Sequence, residues 1–212
     1  LAILHKLSLK NTVATSLSTN NLAKLYELLI TIDYLNVIVA INENKNITGG
    51  LTYTFKSKKQ KIKLSHKFKI VYIMIFGFIK KPIVCIVETY YKYRIYKNLD
   101  HEVNILTLFV DRDSQSSGIG HQLLNHFKND YTSNVSVDTR TSNKRAINFY
   151  IKNGFKTIRS DKKNTILKIN WNFNQVLINP FQHSLGIQSN HMKWHPFYKF
   201  PNLRHNFSVE LP

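Results

Sequence analysis

Ile105-Leu106-Thr107-Leu108-Phe109-Val110 turns through Asp111-Arg112-Asp113-Ser114 into Gln115-Ser116-Ser117-Gly118-Ile119-Gly120, and then into His121-Gln122-Leu123-Leu124-Asn125-His126-Phe127. The order is an apolar strand, a glycine turn and a helix-like segment. A second unit follows: Val135-Ser136-Val137-Asp138-Thr139-Arg140, then Asn143-Lys144-Arg145-Ala146-Ile147-Asn148-Phe149-Tyr150 and Asn153-Gly154-Phe155. A strand and a helix thus stand beside a candidate phosphate loop.

The glycines at 118 and 120 let backbone amides approach an anion with no Cβ in the way, and the helix that begins there adds its positive dipole end. A pyrophosphate fits such a site. No Gly-Lys-Ser/Thr follows, so this is not a P-loop, and the third glycine of a dinucleotide fingerprint is missing. Gly-x-Gly alone also occurs in plain turns.

The second unit makes the pattern more specific. With Asn143, Ala146, Phe149-Tyr150 and Gly154-Phe155 behind a strand, the chain resembles the GCN5-related N-acetyltransferase (GNAT) superfamily. In that family an R/Q-x-x-G-x-G/A loop and an Asn/Ala/Tyr/Gly-Phe helix flank acetyl-coenzyme A. The resemblance covers roughly residues 1 to 169, and it is similar to a bacterial subgroup with a basic insert before the fourth strand. It implies an α/β fold, a mixed, mostly antiparallel sheet flanked by helices with the fourth and fifth strands splayed. It also implies a domain over 1–170 and an extension of unassigned role over 171–212. On this comparison the chain, which starts at Leu1 rather than Met, is a fragment that begins after the family's first strand. An exposed strand edge would result.

Carried over residue by residue, the resemblance gives the backbone of Leu108, Phe109 and Val110 to the pantetheine arm. It gives Gln115 and the amides of Ser116, Ser117, Gly118, Ile119, Gly120 and His121 to the pyrophosphate. Ser116 and Ser117 stand where the family often has basic residues, which shifts the phosphate contacts toward the backbone or Arg112. Asn143 contacts the pantetheine arm. Ser8 and Ser16-Leu17 fall in a loop over the acceptor site.

The implied chemistry is direct attack of a primary amine on the thioester. An alkylamine with a pKa of about 10.4 must lose a proton, and a thiolate leaving group with a thiol pKa of about 8.5 must gain one. Tyr150, a phenol in the second motif that also borders the cofactor, is the candidate acid. Asp138 is the candidate base, with Glu102 acting through a water as its competitor; as a structural alternative Asp138 is a solvated carboxylate or partners Arg140. No metal is expected. The acceptor is read as a small-molecule amine such as an amino sugar, with a protein N-terminus or lysine as the alternative.

The chain has 212 residues and is 43% hydrophobic, enough for one packed domain. Its formal charge is +18, which invites contact with polyanions such as nucleic acid or an anionic membrane. Twelve basic residues and one acid, Glu88, lie between Lys56 and Lys97, inside the insert at 56–100. The run from Phe68 to Ile79 is too short to span a bilayer, which needs about 20 apolar residues. Two readings stay open: a helical insert packed on the domain with solvated lysines, and a peripheral surface helix. A non-catalytic module binding membrane or nucleic acid through this insert is the rival to the enzyme. The lone Cys85, in an apolar run, is read as a buried thiol, and a reducing, cytoplasmic setting is expected. No secretory signal is visible.

Leu1 to Leu9 has the spacing of a short amphipathic helix, and Leu22, Leu25, Tyr26 and Leu29 that of a second, after a polar loop with caps. Val37–Ile41 and Ile47–Phe55 read as an antiparallel hairpin, with Gly49-Gly50 marking a bulge or a close backbone approach. Gly154–Ile158 and Thr165–Ile169 read as two further strands. The tail histidines His183, His191, His195 and His205 lack ligand spacing.

Overall fold

The computed structural model describes residues 1–9, 12–55, 62–96, 102–130, 134–171 and 198–199. Lys56, Lys58, Lys59, Lys61 and Lys97 of the insert, and the four tail histidines, lie outside the described residues.

Three helices come first: α1 (Ala2–Ser8), α2 (Val13–Ser16) and α3 (Thr19–Thr31). α3 opens where the Ser18 hydroxyl accepts the Asn21 amide at 3.1 Å, so the expected cap is present. The segment before it differs from the expected loop over the acceptor site. Thr12 and Thr15 cap each other's backbone reciprocally and wind Val13–Ser16 into a helical turn. That turn buries Ser16 and Leu17, which therefore cannot lie over a substrate.

β1 (Asn36–Ile41) and β2 (Ile47–Phe55) form the antiparallel hairpin. Successive side chains of β1 enter opposite cores: Val37 and Val39 pack with Leu22 and Leu25 of α3, and Ile38 and Ala40 with Leu123 and Phe127. A strand covered on both faces needs an unbroken apolar run, and this one has it. At Gly49 both sequence readings hold: the register against β1 slips between Ala40 and Ile41, leaving Thr48 as an extra residue on β2, and the backbone is closely approached. A Cβ there would sit 2.9 Å from Ile119 Cγ2 and 3.2 Å from the Phe109 carbonyl oxygen.

Next come α4 (Leu64–Lys80) and α5 (Pro82–Tyr96), then β3 (Val103–Val110), α6 (Ile119–Asp130), β4 (Asn134–Arg140), α7 (Lys144–Lys152), β5 (Lys156–Ser160) and β6 (Asn164–Asn170). With the two-residue β7 (Tyr198–Lys199) the sheet runs β5-β6-β4-β3-β2-β1-β7. Among the described residues only β3 and β4 pair in parallel, so the sheet is mixed and mostly antiparallel, as expected. The outer edge of β1, expected to be open, is met at Ile38 and Val39 by β7. Helices cover both faces of the sheet: α6 on one, α1 and α3 on the other.

The main core runs past residue 170. Trp171 is buried, with its ring centroid 5.8 Å from those of Phe127 and Phe155. Trp171→Ala should lower unfolding stability by about 3–5 kcal/mol, read as a shift in the urea midpoint. An unchanged midpoint would show that the core ends at residue 170.

Candidate active site

β3 and β4 are paired only from Val103 to Ile105, against Val135 to Val137. Beyond Ile105 they part, while β4 stays paired with β6 as far as Arg140. The cause lies on the other side of β3. Its register against β2 slips between Thr52 and Tyr53, so Leu106 is an extra residue and the strand is bulged there. A bulge bends its strand and sharpens the twist, which turns β3 away from β4. From Thr107 to Val110, among the described residues, the ladder partner of β3 is β2 alone.

A cavity of about 670 Å³ occupies this divergence. Leu106, Thr107 and Leu108 line it from β3, and Val137, Asp138 and Thr139 from β4. Asn143 and Tyr150 enter from α7, and Arg112 and Gln115 from the loop after β3. The first three helices supply His5, Ser8 and Tyr26, and the insert supplies Met74, Glu88 and Thr89.

The glycine loop is held from both sides. Gln115 Nε2 donates to the Val110 carbonyl at 3.4 Å, and Gln115 Oε1 accepts from Arg145 Nη1 at 2.7 Å. Ser117 Oγ donates to the Ser114 carbonyl at 2.6 Å. Ser116 and Gly118 have φ of 72° and 84°, the left-handed region, and a Cβ on Gly118 would meet nothing within 4 Å. A loop that changes hand at the start of a helix is a place where amides converge on an anion. His121 Nδ1 hydrogen-bonds Asn153 Oδ1 at 2.6 Å, which ties α6 to the end of α7.

Asn143 caps α7, its Oδ1 accepting from the Ala146 amide at 3.1 Å. Further along the same helix, Tyr150 is buried, and its phenol is held well above the usual tyrosine value, first by burial and second by the charge of Asp138. The hydroxyl therefore keeps its proton at neutral pH.

Of the residues expected to hold the cofactor, Leu108, Gln115, Asn143 and Tyr150 line the cavity. Phe109 and Ile119 turn their side chains into the protein interior. Val110, Ser116, Ser117, Gly118, Gly120 and His121 form the adjoining strand end, loop and helix start. Glu102, the competing base, is exposed just before the first residue of β3 and does not line the cavity. It precedes the short paired segment of β3, whereas the cavity lies beyond it. Arg140 is engaged by Glu88 of α5 at 2.5 Å. Cys85 is buried, as expected.

Sequence reasoning missed His5, Tyr26, Arg145 and the place of Glu88. His5 Nδ1 and the Tyr26 hydroxyl share a hydrogen bond of 2.6 Å, and Tyr26 also bonds Thr107. Burial lowers His5 to about 4 and raises Tyr26 to about 12, so both are neutral near pH 7. His5 Nε2 is buried with no hydrogen-bond partner among the described residues. In the sequence, His5 is one polar letter in an apolar helical stripe, and nothing in its spacing points to a site.

Residues 77–157 match the family described as an acetyltransferase (GNAT) domain. Over those residues the chain is similar to the GNAT acetyltransferases. That match takes in both motif units and the strand splay between them. No curated protein matches the chain in sequence. Among solved structures, the ribosomal-protein-S18-alanine N-acetyltransferase from Escherichia coli overlaps 32% of this chain and 54% of its own, at 22% identity and a TM-score of 0.31. An acetyltransferase from Thermus thermophilus overlaps 72% of this chain and 75% of its own, at 11% identity and a TM-score of 0.48. PaiA N-acetyltransferase from Thermoplasma acidophilum, solved in complex with coenzyme A, overlaps 71% of each chain at 13% identity and a TM-score of 0.44.

His5 gives the protein a pH signature. Its folded pKa of about 4 lies below the ordinary value of 6.5, so between those values the unfolded chain binds the extra proton. Stability should thus be full above pH 6.5 and fall as pH drops toward 4 by up to about 3 kcal/mol. Urea unfolding at a series of pH values checks this, and His5→Asn should flatten the slope.

Proposed function

We propose that this chain is an acetyl-coenzyme A dependent N-acetyltransferase that moves an acetyl group from the thioester to a primary amine of a small molecule. The observation that carries the reading is the meeting of Asp138 and Tyr150 in one cavity, beside the stretch of β3 that β4 has released.

In this reading the released edge of Leu108, Phe109 and Val110 lies alongside pantetheine, and amides near the bulge polarise the thioester carbonyl. The loop from Gln115 to His121 takes the pyrophosphate, with Arg112 and Arg145 supplying positive charge that Ser116 and Ser117 do not. Asn143 borders the pantetheine arm. The amine nitrogen attacks the carbonyl carbon, a C–N bond forms and the C–S bond breaks. The amine proton passes to Asp138, and Tyr150 gives its proton to the departing sulfur.

Burial and Asp138 keep the phenol protonated at neutral pH, and the same shift makes it a weaker acid than a free tyrosine. The cavity volume falls within the range of small-molecule sites, roughly 300–1,000 Å³. A reducing, cytoplasmic setting suits the single free thiol of Cys85.

Calorimetry with acetyl-coenzyme A, followed by thiol release against a panel of small amines and peptides, tests the reading. Tyr150→Phe should bind acetyl-coenzyme A as the parent does and turn over about 100-fold more slowly. Full turnover in Tyr150→Phe would remove it as the acid. Absence of acetyl-coenzyme A binding in the parent would sink the enzyme reading, and turnover with peptides alone would move the acceptor to protein.

A further inference from the structure

The insert is a pair of helices with two unlike faces. On α4, His66, Ile70, Ile73, Met74 and Gly77 turn inward, at the three- and four-residue spacing of one helical stripe. Ile70, Ile73 and Met74 pack on the core of α1 and α3, and Gly77 lies so close to Ser16 that a Cβ would be 2.5 Å from its hydroxyl. On α5, Cys85 reaches the same hydroxyl, its sulfur 3.8 Å away. Both helices therefore turn their inner faces toward α2, and their outer faces point away from it.

Those outer faces are apolar. Leu64, Phe68, Tyr72, Ile75 and Ile79 form a continuous stripe along α4. Ile83, Ile86 and Tyr90 repeat the pattern on α5. Ten of the fifteen exposed large apolar side chains among the described residues lie on these two helices, each between 40% and 76% exposed. Scattered exposed apolar residues are ordinary, but a concentration of this kind on one element marks a contact surface.

The charge around the stripe selects its occupant. At about 100° per residue Lys67 falls on one side of the α4 stripe, and Lys69 and Lys80 on the other. Lys63 and Lys81 stand at the helix ends, and no acid occurs between them. Glu88, the one acid of the helix pair, is bound to Arg140. Two copies of this face laid together would oppose lysine to lysine, whereas an anionic bilayer accepts both the stripe and its rim. Among the described residues no helix is long and apolar enough to cross a membrane, so the fit is to lie on the surface.

We propose that the outer face of α4 and α5 docks the protein on an anionic lipid bilayer, with the apolar stripe entering the interface and the lysines meeting the headgroups. The same two helices present Met74, Glu88 and Thr89 to the cavity. Docking would hold the cavity about one helix diameter, roughly 10 Å, from the lipid surface.

The test is sedimentation of the 212-residue chain with vesicles of phosphatidylcholine alone and of phosphatidylcholine with phosphatidylglycerol. The chain should pellet with the anionic vesicles and be released by high salt. Lys67→Gln with Lys69→Gln should weaken binding about 30-fold. Phe68→Ser with Ile75→Ser should weaken it as well. All four positions are exposed, so circular dichroism and acetyl-coenzyme A binding of both variants should match the parent. Equal recovery with both vesicle types, recovery with neither, or undiminished binding of the Phe68 and Ile75 variant would overturn the proposal. So would a dimer in size-exclusion chromatography that this variant dissolves, because the face would then belong to a second copy.

Discussion

The bulge at Leu106 is the constraint on which the site depends. One extra residue on β3 releases it from β4 after three paired positions, while each strand keeps its outer partner. Backbone groups inside a sheet are normally consumed by neighbouring strands. Here part of a central strand is relieved of that duty without becoming an edge of the molecule. The loop after β3, the capped start of α7 and the inner ends of α1 and α3 all gather around the divergence.

The packing that keeps the divergence open is dispersed. α6 presses on β2 at Gly49, where a side chain would strike Ile119 and the Phe109 carbonyl. Tyr53, Phe127 and Trp171 form an aromatic run beneath β3 and β4. The helical insert closes another side, with α4 held by close contact at Gly77 and α5 by the Glu88–Arg140 pair. An exposed ion pair of that type contributes at most about 1 kcal/mol, so it sets the position of α5 more than the stability of the fold. The burial of Ile70, Ile73 and Met74 is the larger contribution.

Much of this was legible in the chain because it rests on local rules. The hairpin, α3 behind Ser18, the glycine turn before α6 and the strand pair after Gly154 follow from periodicity, caps and turns over a few residues. Tyr150 and Asp138 could be named because they stand at fixed distances from motif residues. Ser16-Leu17 was misread because reciprocal capping by Thr12 and Thr15 is a weak pattern in a polar stretch. Glu102 was misread because nearness in sequence to β3 says nothing about which end of the strand the cavity occupies.

By itself, the sequence determined the order of most elements, the family resemblance and the residues proposed to carry acyl transfer, because these depend on residue type and short spacing. Tertiary structure alone decided that β3 is bulged at Leu106, since register is a property of two strands. It placed His5 against Tyr26, and Glu88 against Arg140, pairs 21 and 52 residues apart. It also decided which stripe of the basic insert is buried: α4 is apolar on both faces, and only packing against α1, α2 and α3 makes one of them the inside.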